Sequence, residues 1–234
     1  MQITLKNGDK LELEAGADAL AAAQKISEGL ARNAVAAKVN GHLCDLSHVL
    51  AEGDTLEIVT LKDKEGLEVY RHTCSHVLAQ ALKTIFPTCK LAIGPVIENG
   101  FYYDVDFKTP ITMEDFSKIE AEMKKIVKSN LPIERFTLPR EEAIALMSKY
   151  HEKYKVELIQ DLPEGEEISF YRQGAFIDLC RGPHLPNTRY IKAFKIERSA
   201  AAYWRGSEAN PMLQRIYGAA FATKEDLKAC LLYT

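Results

Sequence analysis

The chain has no long apolar run. No stretch approaches the roughly 18 apolar residues that a membrane span needs, and the N-terminus, Met-Gln-Ile-Thr-Leu-Lys, has no apolar signal-peptide core. A cytoplasmic protein with no membrane partner is expected. Cysteine is sparse: Cys44, Cys74, Cys89, Cys180 and Cys230 are five, an odd number at unrelated spacings, which argues against a disulfide framework. There is no Gly-rich phosphate loop, so nothing points to nucleotide hydrolysis. Gly206-Ser207 lacks the Gly-x-Ser-x-Gly frame of a nucleophile elbow. Internal repeats and low-complexity stretches are missing too. So is a strong charge imbalance, since the net charge is −3.

What remains is ordinary globular material, 234 residues at 47% apolar and 27% charged, with room for one large domain or two of usual size. The charge is unevenly divided. Residues 1–61 hold five Lys/Arg against nine Asp/Glu, a net −4, which leaves +1 for the rest. A near-neutral remainder can still carry a basic face.

The first 61 residues read as a small unit. Strands are expected at Gln2–Lys6 and Lys10–Glu14 around Asn7-Gly8-Asp9, then a helix at Ala17–Glu28 ended by Gly29, a strand at Ala34–Val39 closed by Asn40-Gly41, a short apolar piece at Leu46–Leu50, and a last strand at Thr55–Thr60. This β-β-α-β-β order suits a small mixed sheet on one helix. The charged stretch Lys62–Gly66 reads as a linker.

Beyond it the spacing predicts a helix from Leu67 to about Phe86, with Tyr70, Cys74, Val77, Leu78, Ala81, Leu82 and Ile85 on its core face. A hairpin is expected from Leu91–Ile97 and Gly100–Phe107, and helices at Thr112–Lys128 and Pro139–Tyr150. Strands are expected at Ile133–Leu138, Glu157–Leu162, Glu167–Tyr171, Phe176–Asp178, Ile191–Arg198 and Ala202–Arg205. A final helix is expected from Ala222. The ending Cys-Leu-Leu-Tyr-Thr has no cap, as in a chain whose continuation is missing.

Two short signatures concentrate the chemistry. Arg71-His72-Thr73-Cys74-Ser75-His76 places His72 and His76 on one face of a helix. Asp178-Leu179-Cys180-Arg181-Gly182-Pro183-His184 crowds polar groups around a turn, more than a core would want. His72, His76, Cys180 and His184 form a full ligand set for tetrahedral zinc. The same groups can position a water for hydrolysis. Elsewhere plainer readings compete: Tyr102-Tyr103 as a packed aromatic ladder, Lys155 as a solvated edge residue, Trp204 as a core anchor beside Arg205, and Lys124, Lys125 and Lys128 as a solvated helix face.

These motifs, with Ala92-Ile93-Gly94-Pro95-Val96-Ile97-Glu98-Asn99-Gly100-Phe101-Tyr102-Tyr103-Asp104 and Ala202-Tyr203-Trp204-Arg205-Gly206, occur in the order found in the N-terminal half of the bacterial threonyl-tRNA synthetase family. The resemblance covers essentially the whole chain. It implies an α+β protein: a ubiquitin-like β-grasp TGS domain at 1–61 and a larger α+β editing domain of the threonyl/alanyl-tRNA synthetase type at 62–234, with a linker helix starting near 222. The implied function is proofreading, the hydrolysis of seryl-tRNA(Thr). A threonine site separates serine by one methyl, worth only ~1–3 kcal/mol. By resemblance His72, His76, Tyr103, Lys155, Asp178, Cys180 and His184 line the pocket. His72 and Lys155 would orient or activate water and assist the leaving ribose hydroxyl, while Cys180, Asp178 and His184 would hold the seryl group. The implied partner is the acceptor end of tRNA(Thr) carrying serine. The ATP-using synthetic core and the anticodon-binding domain of the family should follow residue 234, so the fragment is expected to be monomeric and unable to activate threonine.

Three readings stay open at this stage. An esterase needing no cofactor leads. A zinc hydrolase using His72, His76, Cys180 and His184 follows, because alanyl-type relatives hold zinc at this constellation. A pure RNA-binding or regulatory module is the third, disfavoured by the polar density of 178–184.

Overall fold

The structure is a computed structural model that describes residues 1–232 and divides into two compact units. The first comprises Met1–Tyr70 with Gly182–Pro186, the second Arg71–Arg181 with Asn187 onward. No helix among the described residues is long and apolar enough to cross a membrane.

The first unit is a five-stranded mixed sheet in the order β2-β1-β5-β3-β4. Its strands are β1 (Gln2–Leu5), β2 (Lys10–Glu12), β3 (Ala34–Val39), β4 (His42–Cys44) and β5 (Thr55–Thr60). β1 and β5 pair in parallel, Thr4 opposite Thr55, and the other neighbours pair antiparallel. Helix α1 (Ala19–Ile26) lays Ala19, Ala22 and Ala23 into the core, at the i, i+3, i+4 spacing that puts three small side chains on one face. They pack with Ile3, Ala37 and Leu56. The Asp18 carboxylate caps α1 by accepting from the Ala21 N–H at 2.8 Å.

Three expectations for this unit need correction. The helix does not run on to Glu28. Ser27 is extended (φ −168°, ψ 148°), and its hydroxyl oxygen accepts from the Leu30 N–H, starting a second helix, α2 (Glu28–Asn33), in which Gly29 lies inside rather than at an end. His42–Cys44 is a strand, too short to signal itself by alternation. The charged Lys62–Gly66 is not an open linker: helix α3 (Lys64–Ile85) begins within it, and a Cβ on Gly66 would lie 1.9 Å from the Thr60 carbonyl oxygen.

In the second unit the larger sheet has the order β12-β13-β8-β6, with β7 also on β8. These strands are β6 (Lys90–Leu91), β7 (Val96–Ile97), β8 (Gly100–Asp106), β12 (Ala193–Tyr203) and β13 (Met212–Phe221). A smaller antiparallel sheet, β11-β10-β9, joins β9 (Ile133–Thr137), β10 (Ser169–Gln173) and β11 (Phe176–Leu179). Helix α4 (Met113–Lys128) starts at Thr112, whose backbone N–H donates to the Asp115 carboxylate at 2.9 Å, and packs on β12. Helices α5 (Arg140–Lys149) and α6 (Lys153–Asp161) share a core with the small sheet through Met147, Ile159 and Phe170. The helix α7 (Lys224–Leu232) closes the described chain.

Here too the chain corrects its sequence reading. Of the expected strand Glu157–Leu162, Glu157 to Asp161 are helix and Leu162 is the extended C-cap: the buried residues Tyr154, Lys155 and Ile159 line one helical face. A short mixed run gives little periodicity to tell the two apart. The expected strands Ile191–Arg198 and Ala202–Arg205 are one strand, β12, carried through Ser199-Ala200-Ala201 by pairing with β13 and irregular between Ile196 and Arg198. β13 was not expected at all. Gly218, Ala219 and Ala220 are poor strand formers, yet small residues are required there, because a Cβ on Gly218 would lie 2.6 Å from the Phe101 ring.

Candidate functional site

Four elements of the second unit converge on one buried polar cluster. Helix α3 brings His72 and His76, whose rings meet edge to face with centroids 5.3 Å apart. Strand β8 brings Tyr103, helix α6 brings Lys155 and strand β11 brings Asp178. Tyr103, Lys155 and Asp178 are 1%, 3% and 2% exposed, so their polar atoms must satisfy one another. They do so in a closed triangle. The Tyr103 hydroxyl donates to Asp178 Oδ2 at 2.6 Å, Lys155 Nζ donates to the Tyr103 oxygen at 3.0 Å, and Lys155 Nζ sits 2.7 Å from Asp178 Oδ1.

The local sequence explains the placement. Alternation along β8 turns Tyr103 inward, and its neighbour across the sheet is Ile216. Gly94 makes room for its ring: a Cβ there would stand 2.4 Å from Tyr103 Cδ2. Ser75 Oγ reaches the carbonyls of His72 and Gly94 at 2.8 and 3.0 Å, tying helix α3 to that glycine. Cys180 is held at both backbone groups by Ser169, whose carbonyl accepts the Cys180 N–H at 3.1 Å and whose hydroxyl donates to the Cys180 carbonyl at 2.7 Å. The Cys180 sulfur lies 3.3 Å from His72 Nε2.

Burial sets the charge states. It pushes the His76 imidazole down to about 3, with His72 and Lys155 adding to the fall and Asp178 opposing it. His76 is therefore neutral near neutrality, and its Nε2, 3.6 Å from Asp178 Oδ2, is beyond a direct hydrogen bond. Burial would raise the Asp178 carboxyl. The Lys155 ammonium, His76 and the hydrogen bonds from Lys155 and Tyr103 outweigh it and hold the group below the usual carboxylate range. Burial, then the Asp178 charge, lifts the Tyr103 phenol well above its usual value, so it stays a donor.

His72, His76 and Cys180 place ligand atoms within 4.8 Å of one another. Imidazole and thiolate at that spacing suit zinc. His184 lies on the segment grouped with the first unit, 1% exposed, where its backbone N–H donates to Asp45 Oδ1 at 2.9 Å.

Lys155, read from sequence as an edge residue on plain grounds, is instead a buried member of the cluster. Trp204 is the expected core anchor, 4% exposed, donating to Glu157 Oε2 at 2.8 Å and packed on Tyr154. Lys124, Lys125 and Lys128 lie on an exposed face, as expected. Ser169 was missed, since a serine opening a strand carries no signal of its own.

Residues 1–60 match the family model of the TGS domain, and residues 168–217 match that of the threonyl and alanyl tRNA synthetase second additional domain. Over 98% of its length the chain is 57% identical to a threonine–tRNA ligase of Acetivibrio thermocellus, and over 99% it is 56% identical to one of Clostridioides difficile. The chain carries a TGS domain and a threonyl and alanyl tRNA synthetase second additional domain, and it is similar along nearly its whole length to threonine–tRNA ligases. The fold agrees: a β-grasp TGS domain and a mixed α+β domain with several sheets. A threonine–tRNA ligase of Clostridium tetani is 57% identical over 99% of the chain. The chain spans 36% of the length of each of these ligases, about a third. Within the second-additional-domain match lie Asp178, Cys180 and His184, whereas His72, His76, Tyr103 and Lys155 lie outside both matched segments.

Proposed function

We propose that the chain hydrolyses the ester of tRNA(Thr) mischarged with serine, using the cluster around the Tyr103–Lys155–Asp178 triangle. The observation that carries this reading is a buried, internally satisfied charge pair beside two histidines, one of them held neutral. In the reaction a water oxygen attacks the acyl carbon, the bond to the ribose oxygen breaks, and that oxygen takes a proton, giving free serine and an intact ribose hydroxyl. His72 and Lys155 orient or activate the water and assist the leaving oxygen. His76 is a neutral partner for proton transfer. Asp178 and Tyr103 fix Lys155, and Cys180 contributes to holding the seryl group. Threonine is rejected because its extra methyl displaces the ester from the water.

The reading requires no zinc for hydrolysis. If His72, His76, Cys180 and His184 all bound a metal, the tetrahedral set would be complete and no position would remain for the water. A zinc hydrolase that draws on His72, His76 and Cys180 among its ligands is the second reading, favoured by their spacing. The chain acts in the cytoplasm as a monomer, which sedimentation would check.

The test is single-turnover deacylation of seryl-tRNA(Thr) with metal analysis of the same sample. His72→Ala and Lys155→Ala should each slow serine release at least about tenfold, within the range of lost acid–base help. Full activity in both, or stoichiometric zinc whose removal abolishes and whose return restores hydrolysis, overturns the metal-free account.

A further inference from the structure

The large sheet carries a second organised group, which the hydrolytic cluster does not use. Residues directly opposite one another on three adjacent strands form a row: Arg198 on β12, Tyr217 on β13 and Tyr102 on β8. By strand alternation this row lies on the face opposite Tyr103. The Arg198 guanidinium carbon sits 3.6 Å from the Tyr217 ring centroid, and that of Arg215 sits 3.9 Å from the Tyr102 centroid. The two tyrosine centroids are 5.7 Å apart. Arg215 is locked, because its Nε and Nη2 donate to the two oxygens of Asp104 at 2.7 and 2.8 Å. The Asp104 carboxylate is buried, Tyr102 and Tyr217 are half-buried, and Arg198 is exposed. The row therefore offers solvent guanidinium planes and aromatic surface, with its one carboxylate turned inward and matched.

We propose that this row is a second RNA-contacting surface, a preorganised platform on which unpaired bases stack and beside which Arg198 meets a phosphate. Three features select an unpaired RNA strand as the occupant. Aromatic side chains and guanidinium planes on a sheet are the groups that stack splayed-out bases. The exposed charge is cationic. The register and the Asp104 lock fix the rings and Arg215 beforehand, which lowers the ordering cost of binding. Cross-strand stabilisation accounts for the ring pair, but it does not require an exposed arginine over the outer ring. The proposal rests on the reading that the chain meets aminoacylated tRNA, and it names a surface that would hold the RNA away from the reacting ester.

The test uses uncharged RNA, so that hydrolysis plays no part and a failed deacylase assay leaves it intact. Binding of a fluorescent single-stranded 12-nucleotide RNA and of uncharged tRNA(Thr) is measured by anisotropy at two salt concentrations. Tyr217→Ala should weaken binding of the single strand about tenfold, as loss of a stacked base does, and Tyr217→Phe should restore it to within about twofold, since the ring is kept. Arg198→Ala should lower the log–log salt slope by about 0.7, one phosphate contact on a single strand. Circular dichroism and thermal unfolding confirm that each variant folds. Unchanged affinity and salt slope in folded Arg198→Ala and Tyr217→Ala, or no RNA binding by the parent chain, overturns the proposal.

Discussion

The two units solve the same packing problem with opposite treatments of charge. In the first unit no Lys, Arg, Asp or Glu side chain is buried, and the buried polar group there is the imidazole of His184. The core is Ile, Leu, Val and many alanines, and the ion pairs, such as Lys38 with Glu65 at 2.6 Å, stay at the surface. The second unit buries Lys155, Asp178, Asp104, Glu120 and Glu152, each with a partner. Burying ions stabilises a fold little, and often less than apolar residues of the same size would. Where a chain does so repeatedly, something other than stability maintains those residues. In this chain the contrast sets the first unit apart from the one to which the proposal assigns hydrolysis.

The largest expected effect breaks the triangle. Lys155→Met leaves Asp178 buried without its ammonium, and removal of one partner of a buried pair costs about 3–5 kcal/mol. Urea unfolding should show that loss in the second unit. Lys155→Met combined with Asp178→Leu should recover most of the stability and none of the hydrolysis. In the first unit the counterpart, Lys38→Met, should leave the unfolding midpoint unmoved. If both units responded alike, the contrast would fail. A smaller effect is expected from Gly94→Ala, which must push the Tyr103 ring aside; overpacking of this kind costs ~1–3 kcal/mol. It should slow serine release while leaving the first unit's melting unchanged. Thiol labelling sharpens the comparison further. Cys74 and Cys89 are buried, burial pushing the first thiol far up and the second up to about 12. Both should stay unlabelled at pH 8 until the second unit unfolds, while half-buried Cys180 reacts in the native protein.

Much of this was legible in the residues. The strands Ala34–Val39 and Thr55–Thr60 and the helix carrying His72 and His76 follow from alternation, turn residues and helical spacing. The polar crowding at 178–184 singled out Asp178 and Cys180, which the fold places in or beside the buried cluster. What local pattern could not show was set by tertiary contact. β13 was masked by its run Gly218-Ala219-Ala220, poor strand formers kept small where Gly218 lies against Phe101. Lys155 looked like an edge residue because its partners, Tyr103 and Asp178, are 52 and 23 positions away in the chain and meet it only when β8, α6 and β11 are assembled. The Ser169 clamp on Cys180 is invisible for the same reason.

The central claim is that the buried cluster of the second unit discriminates a seryl from a threonyl ester. The most direct measurement is single-turnover hydrolysis of seryl-tRNA(Thr) and threonyl-tRNA(Thr) by this chain, side by side and with chelator present. The account predicts serine release faster than threonine release by at least about tenfold, the lower end of what one methyl group allows, with the difference lost in Lys155→Ala. Equal rates for the two esters, or a preference that survives Lys155→Ala unchanged, would contradict it.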